Sequence, residues 1–174
     1  GTPSGDAGYR PVAMPRTVTL IVLALTALLA ACGGSDPGRI EIKGEVFNLT
    51  ISADDATRAR GLGGVAEIPE HGGMIFAFRS PEPQGFWMRD CITDMDILYV
   101  DPQGFVVSAY TMVAEAPRAE GESEQAYFNR LRRYPSGKPA QFVIELKART
   151  IDRLGIEPGT KVTLDAKALK DLAK

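Results

Sequence analysis

The sequence predicts a mainly β protein, an antiparallel β-sandwich or barrel of about eight short strands with small flanking helices. Three observations carry this expectation. Apolar and polar residues alternate over short runs, as in Ile40-Glu41-Ile42 and Val46-Phe47-Asn48-Leu49-Thr50-Ile51. Turn-forming residues separate the runs, as in Asp101-Pro102-Gln103-Gly104. Strand and helix patterns do not alternate and no GxGxxG phosphate loop is present, which argues against a doubly wound nucleotide-binding sheet.

The elements follow in order. Two half-buried strands over residues 40–42 and 46–51 hinge at Gly44. Ser52 or Asp54 caps a short helix over residues 55–60, which Gly61 stops. Residues 63–73, with Pro69 and several glycines, read as a loop before an apolar strand over 74–78. Phe86-Trp87-Met88 and residues 95–100 read as further strands, and 105–113 returns from the Asp101-Gly104 turn as a hairpin partner. Between residues 114 and 140 the composition shifts to Glu, Arg, Pro, Ser and Gly, a long excursion with one helix over 123–132. A strand over 141–146, a short helix over 150–154, a last strand over 161–164 and a terminal helix free to fray over 166–174 complete the chain.

The N-terminal segment reads as an export signal. Arg16, an unbroken apolar run and a small-residue exit lie between Met14 and Cys32. The apolar run from Val18 to Ala31 falls short of the ~20 residues that a bilayer-spanning helix needs. Its exit, Leu29-Ala30-Ala31-Cys32, resembles the lipobox of bacterial lipoproteins, in which the cysteine is acylated and becomes the N-terminus. The expected organisation is a leader over residues 1–31, with 1–13 an upstream remnant, then Cys32 and a flexible tether to residue 38. A single β-rich domain over 39–165 and a tail over 166–174 follow. Gly33 in place of an aspartate resembles outer-membrane sorting, so the expected location is the periplasmic face of a bacterial membrane, outer membrane favoured, with Cys32 as the membrane contact.

The net charge of −2 and the lack of a basic patch beyond Arg130, Arg132 and Arg133 argue against a nucleic-acid partner. With Cys32 acylated, Cys91 has no disulfide partner and is expected to pack as a small hydrophobe. The single histidine, His71, lies in a glycine-rich loop, and the five methionines are scattered. No metal site, cofactor or Ser-His-Asp triad is expected.

Several motifs in fixed order carry a family resemblance: Thr57-Arg58-Ala59-Arg60-Gly61-Leu62, Gly73-Met74-Ile75-Phe76-Ala77-Phe78, Phe86-Trp87-Met88-Arg89, Asp94 through Asp101, Ala140 through Leu146, and Gly155-Ile156. In these the chain resembles the domain of unknown function 192 family over residues 42–164. The resemblance implies a small, mainly β domain, often exported, with no established activity.

The same segments set polar groups among large apolar ones. Arg58 and Arg60, two apart on a short helix, point in different directions, and Arg58 is taken to face the sheet. Alternation in the strand places Asp96 with Leu98 and Val100, so its carboxylate needs a partner, for which Arg58 is the natural choice. An ion pair of Arg58 with Asp96 or Glu145 would explain these residues as pure architecture. The functional reading places Arg58, Trp87, Asp96 and Glu145 around a ligand pocket, with Arg58 fixing an anionic or hydroxyl group, Trp87 stacking and the acids accepting hydrogen bonds. The expected function is small-molecule or glycan binding in the cell envelope. Alternatives are an envelope glycan hydrolase using Asp96 and Glu145, and an accessory protein contacting envelope partners through residues 114–138. Enzyme status stays open, with binding preferred.

Overall fold

The computed structural model of the chain describes residue 1 and residues 36–174, so the expected leader, Cys32 and most of the tether lie outside the described residues. Within the described residues, Arg39–Ile42 (β1), Glu45–Asn48 (β2) and Val162–Thr163 (β8) form a small sheet ordered β2-β1-β8. Thr50–Ser52 (β3), Met74–Phe86 (β4), Met95–Val100 (β5), Val106–Met112 (β6) and Tyr134–Lys147 (β7) form a larger one ordered β3-β4-β7-β5-β6. The helices are Asp55–Arg60 (α1), Glu124–Arg130 (α2), Thr150–Leu154 (α3) and Ala166–Leu172 (α4). The fold is mainly β, as the alternation predicts, but it is two open sheets and no barrel closes.

Lys43 and Gly44, both at positive φ, make the two-residue turn between β1 and β2, a geometry that matches the twist of the flanking strands. The expected single run over 46–51 is split at Leu49, where the chain passes from the small sheet to the large one. There β3 pairs parallel to β4, because α1 and the following loop carry the chain back to the same end of the sheet. That pair departs from the antiparallel expectation; the others are antiparallel.

Both faces of the large sheet are covered. On one, Ile75, Ala77, Leu98, Phe142 and Ile144 meet Ile40, Ile42 and Phe47 of the small sheet. Leu169 and Ala173 of the terminal segment are buried in this same layer, so α4 packs against β4 where fraying was expected. On the other face, Met74, Phe76, Ile97, Tyr99 and Val143 are covered by Leu62, Ile68 and Met88 from irregular segments and by Tyr134 at the start of β7. Of this cover, Leu62 borders the candidate site.

Strands β4 and β7 run further than their apolar cores suggest. Residues 134–139, with Pro135 and Pro139, read as a turn-rich loop, yet they pair with the Pro81- and Pro83-bearing end of β4 through Glu82↔Ala140 and Phe86↔Tyr134 with two register shifts. The shifts accommodate residues without an N–H. Gln141 Nε2 donates to the carbonyls of Phe78 (3.2 Å) and Arg79 (3.1 Å), and Ser136 Oγ accepts from the Gln84 amide (2.9 Å). Trp87 and Met88, expected in a strand, follow the end of β4 in irregular backbone.

Candidate functional site

A cavity of about 300 Å³ opens between α1, the distal half of β4 and residues 87–91, with Glu145 of β7 among its lining residues. Glu145 reaches it through register: it pairs with Met74 on one side and Ile97 on the other, so it shares their face of the sheet. The residue is 5% exposed, and Oε2 has no hydrogen-bond partner. Burial pushes its carboxyl up to about 8, so the protonated form prevails at neutral pH. Phe76, Phe78 and Phe86 supply apolar wall, with the rings of Phe76 and Phe86 edge-to-face at 4.9 Å.

Helix α1 delivers both arginines. Asp54 caps it, accepting from the Thr57 amide at 2.9 Å. Arg58 donates to the Ala77 carbonyl (3.0 Å), the Lys174 carbonyl (2.8 Å) and Asp55 (2.8 Å), and lies over the Phe78 ring at 5.2 Å. Arg58 therefore ties the helix to β4, as expected of the sheet-facing arginine, but through carbonyls: it pairs with neither Asp96 nor Glu145, and the proposed buried ion pair is not formed. Arg60 is exposed and also borders the cavity, and its side chain makes no ion pair among the described residues.

Trp87 is 39% exposed and lines the cavity, with the Arg133 guanidinium over its ring at 4.1 Å. The 114–133 excursion supports this wall. Tyr127 of α2, capped by Ser123, is buried, and its hydroxyl accepts from the Asp90 amide at 2.9 Å while Asp90 holds φ at 55°. That contact fixes the turn presenting Trp87, Arg89 and Cys91. Cys91 is buried, as expected; burial first, then the charges of Glu145 and Asp90, push its thiol up to about 12, which holds it as the thiol at neutral pH.

Asp96 is not at this site. It pairs with Leu146 and projects to the opposite face of the sheet from Glu145. Its carboxylate accepts from Thr111 Oγ1 and from the Ile151 amide, both at 2.7 Å. Arg149 at the start of α3 sits at φ 72° and offers no side-chain cap, so Asp96 caps that helix from a neighbouring strand. Burial raises its pKa despite these donors. The four-residue pocket of the sequence reading thus holds Arg58, Trp87 and Glu145, and Asp96 is architectural. A glycosidase pair of Asp96 and Glu145 is overturned too, since carboxyls on opposite faces cannot flank one bond. Asp96→Ala should lower stability by about 2 kcal/mol, because the Thr111 hydroxyl and the Ile151 amide at the start of α3 lose their acceptor. Urea unfolding that shows a loss below about 1 kcal/mol would contradict the capping role.

His71 lies away from the cavity, beside Phe47 and 3.8 Å from Glu45. Among the described residues, no three His, Cys, Asp or Glu side chains are grouped to hold a metal ion. Sequence reasoning set Arg60 aside in favour of Arg58 and gave Arg89 and Phe86 no role at the site. Phe86 and Arg89 flank Trp87 in the chain, and that clustering was the available signal.

Solved structures share the fold. One is a Sinorhizobium meliloti 1021 protein provisionally described as a transcription regulator, with 24% identity, a TM-score of 0.60 and coverage of 74% of this chain and 93% of that one. Another is a protein of unknown function from Novosphingobium aromaticivorans DSM 12444, with 26% identity, a TM-score of 0.60 and coverage of 71% and 82%. No functionally curated protein matches the chain. The sequence profile of DUF192, described as Uncharacterized ACR, matches residues 38–164, and with two sheets and a pocket built from its motifs the chain belongs to that family.

Proposed function

We propose that this domain binds a small molecule or glycan in the cavity between α1 and β4. The observation that carries the reading is the Glu145 carboxyl, buried at a cavity of about 300 Å³ with one oxygen unpartnered. A buried polar atom without a partner costs about 1–3 kcal/mol, a cost that a hydrogen-bonding ligand removes. Aromatic wall with a few polar groups is the common composition of small-molecule sites. The sequence from Met14 to Cys32 supports placing the domain outside the cytoplasm, exported and lipid-anchored through Cys32 on the periplasmic face of a bacterial membrane, the outer membrane favoured.

Thermal unfolding of the full chain against glycans, peptidoglycan fragments and small acids tests the reading. A ligand at a hundredfold its Kd should add about 2.7 kcal/mol of stability. The shift should disappear in Trp87→Ala, whose half-exposed side chain the fold tolerates losing. If no compound shifts the transition, the binding reading is wrong and a protein-partner role takes its place. In the same preparation, the intact mass of the membrane fraction should correspond to a chain starting at an acylated Cys32; an unmodified leader would refute the anchor.

A further inference from the structure

We propose that the pocket takes a small anion, with a carboxylate or phosphate at its arginine-lined mouth and an uncharged hydrogen-bonding group seated on Glu145. This rests on the pocket reading above and specifies its ligand class.

The lining carries three guanidinium groups, Arg58, Arg60 and Arg89, and a single carboxyl, Glu145. Arg58 is engaged by Asp55 and two carbonyls, and Arg89 reaches Asp90 and Glu124 at 3.4 Å each while lying over Phe128. Arg60 alone among these three has no side-chain partner among the described residues, which leaves a free cation at the mouth. A guanidinium so placed suits a planar or tetrahedral oxyanion.

A cationic ligand fits less well. It would pass three positive groups, and two aromatic faces that could receive it, Phe78 and Trp87, already hold Arg58 and Arg133. The groups around Glu145 also favour an uncharged floor. Strand β4 brings Met74 and Phe76, and β5 brings Ile97 and Tyr99, whose phenol is pushed up by burial. The 87–91 segment brings the protonated Cys91 thiol and Arg89, and α1 brings Arg58 and Arg60. No cation is within ion-pair distance of Glu145 among the described residues. Its neutral carboxyl donates one hydrogen bond and accepts another, which complements a hydroxyl or an amide.

The cavity volume suits a single substituted ring, so 4-hydroxyphenylacetate, 4-hydroxyphenylacetamide and tyramine form a matched series of negative, neutral and positive charge. Trp87, the sole tryptophan of the chain, reports binding by its fluorescence. The acid should bind at least tenfold tighter than the amide, and tyramine should bind weakest. Affinity for the acid should fall about tenfold per pH unit above about 8, as Glu145 ionises. Glu145→Gln should bind the acid at pH 7 and lose that pH dependence, and 4-hydroxyphenyl phosphate should bind as the acid does if the mouth reads charge alone. Arg60→Ala should weaken the acid about tenfold without changing the melting temperature, and should if anything strengthen tyramine binding. Tyramine binding as tightly as the acid, or an unchanged affinity in Arg60→Ala, overturns the anion proposal and leaves the pocket reading standing. Failure of the whole series at millimolar concentration also overturns the anion proposal, and the glycan and peptidoglycan panel then decides the pocket reading separately.

Discussion

Gly73→Ala should destabilise the domain by about 4 kcal/mol or more, in the range reached only by severe backbone or core lesions. Gly73 precedes β4 at φ 139°, a region that side-chain-bearing residues rarely adopt. A Cβ there would sit 2.1 Å from the Glu145 carbonyl oxygen and 3.2 Å from its carbonyl carbon. Both are backbone atoms of the central strand β7, so no side-chain rotation relieves the overlap. Relief requires β4 and β7 to separate at Met74↔Glu145, which also moves the carboxyl of the candidate site. Urea midpoints of the two proteins measure the loss, and a difference under 1 kcal/mol would refute the close approach of Gly73 to β7.

Glu145→Gln should raise stability at pH 8 and remove much of the decline between mildly acidic and mildly alkaline pH. The native carboxyl is raised from 4.5 to about 8 by burial, whereas the unfolded chain releases its proton near 4.5. Below about 4.5 both states are protonated and Glu145 adds no slope. Between the two values the native state binds the extra proton, so stability falls as pH rises. Above about 8 both states are ionised and the full cost is present, on the order of 5 kcal/mol for a shift of this size. Glutamine keeps the shape without the charge, so its transition should be flatter over that window. Asp96 is also raised by burial and contributes its own slope, so the comparison must be between the two proteins at each pH. Parallel stability profiles for the wild type and Glu145→Gln would show that Glu145 is ionised in the fold.

The elements legible in the sequence were those with a local signal. Asp54 before α1, Ser123 before α2 and the Asp101-Gly104 turn each act through neighbours in the chain. The face that Asp96 occupies was not legible, for a physical reason. Alternation fixes which residues within a strand share a side, but the side shared with Glu145 depends on the register of β5 against β7. A slip of one residue would have put the two carboxyls together. The extension of β4 and β7 beyond their apolar cores was not legible, because Gln141 on the Phe78 and Arg79 carbonyls and Ser136 on the Gln84 amide join residues far apart in the chain. Arg58 was identified correctly as the inward arginine, yet its acceptors are backbone carbonyls, which no residue pattern marks.

The large sheet divides its duties by side. The face toward the small sheet is sealed by regular strands and by α4, and the opposite face is roofed by α1, the turn at Asp90 and the Tyr127 prop. The apolar side chains of the two layers stay on their own sides of the sheet, and Arg58 links roof to sealed layer through the Ala77 and Lys174 carbonyls. On the proposed binding function, residues 60 and 87–91 would be the places where a ligand preference is rewritten, with the interlocked strands kept as an inherited chassis.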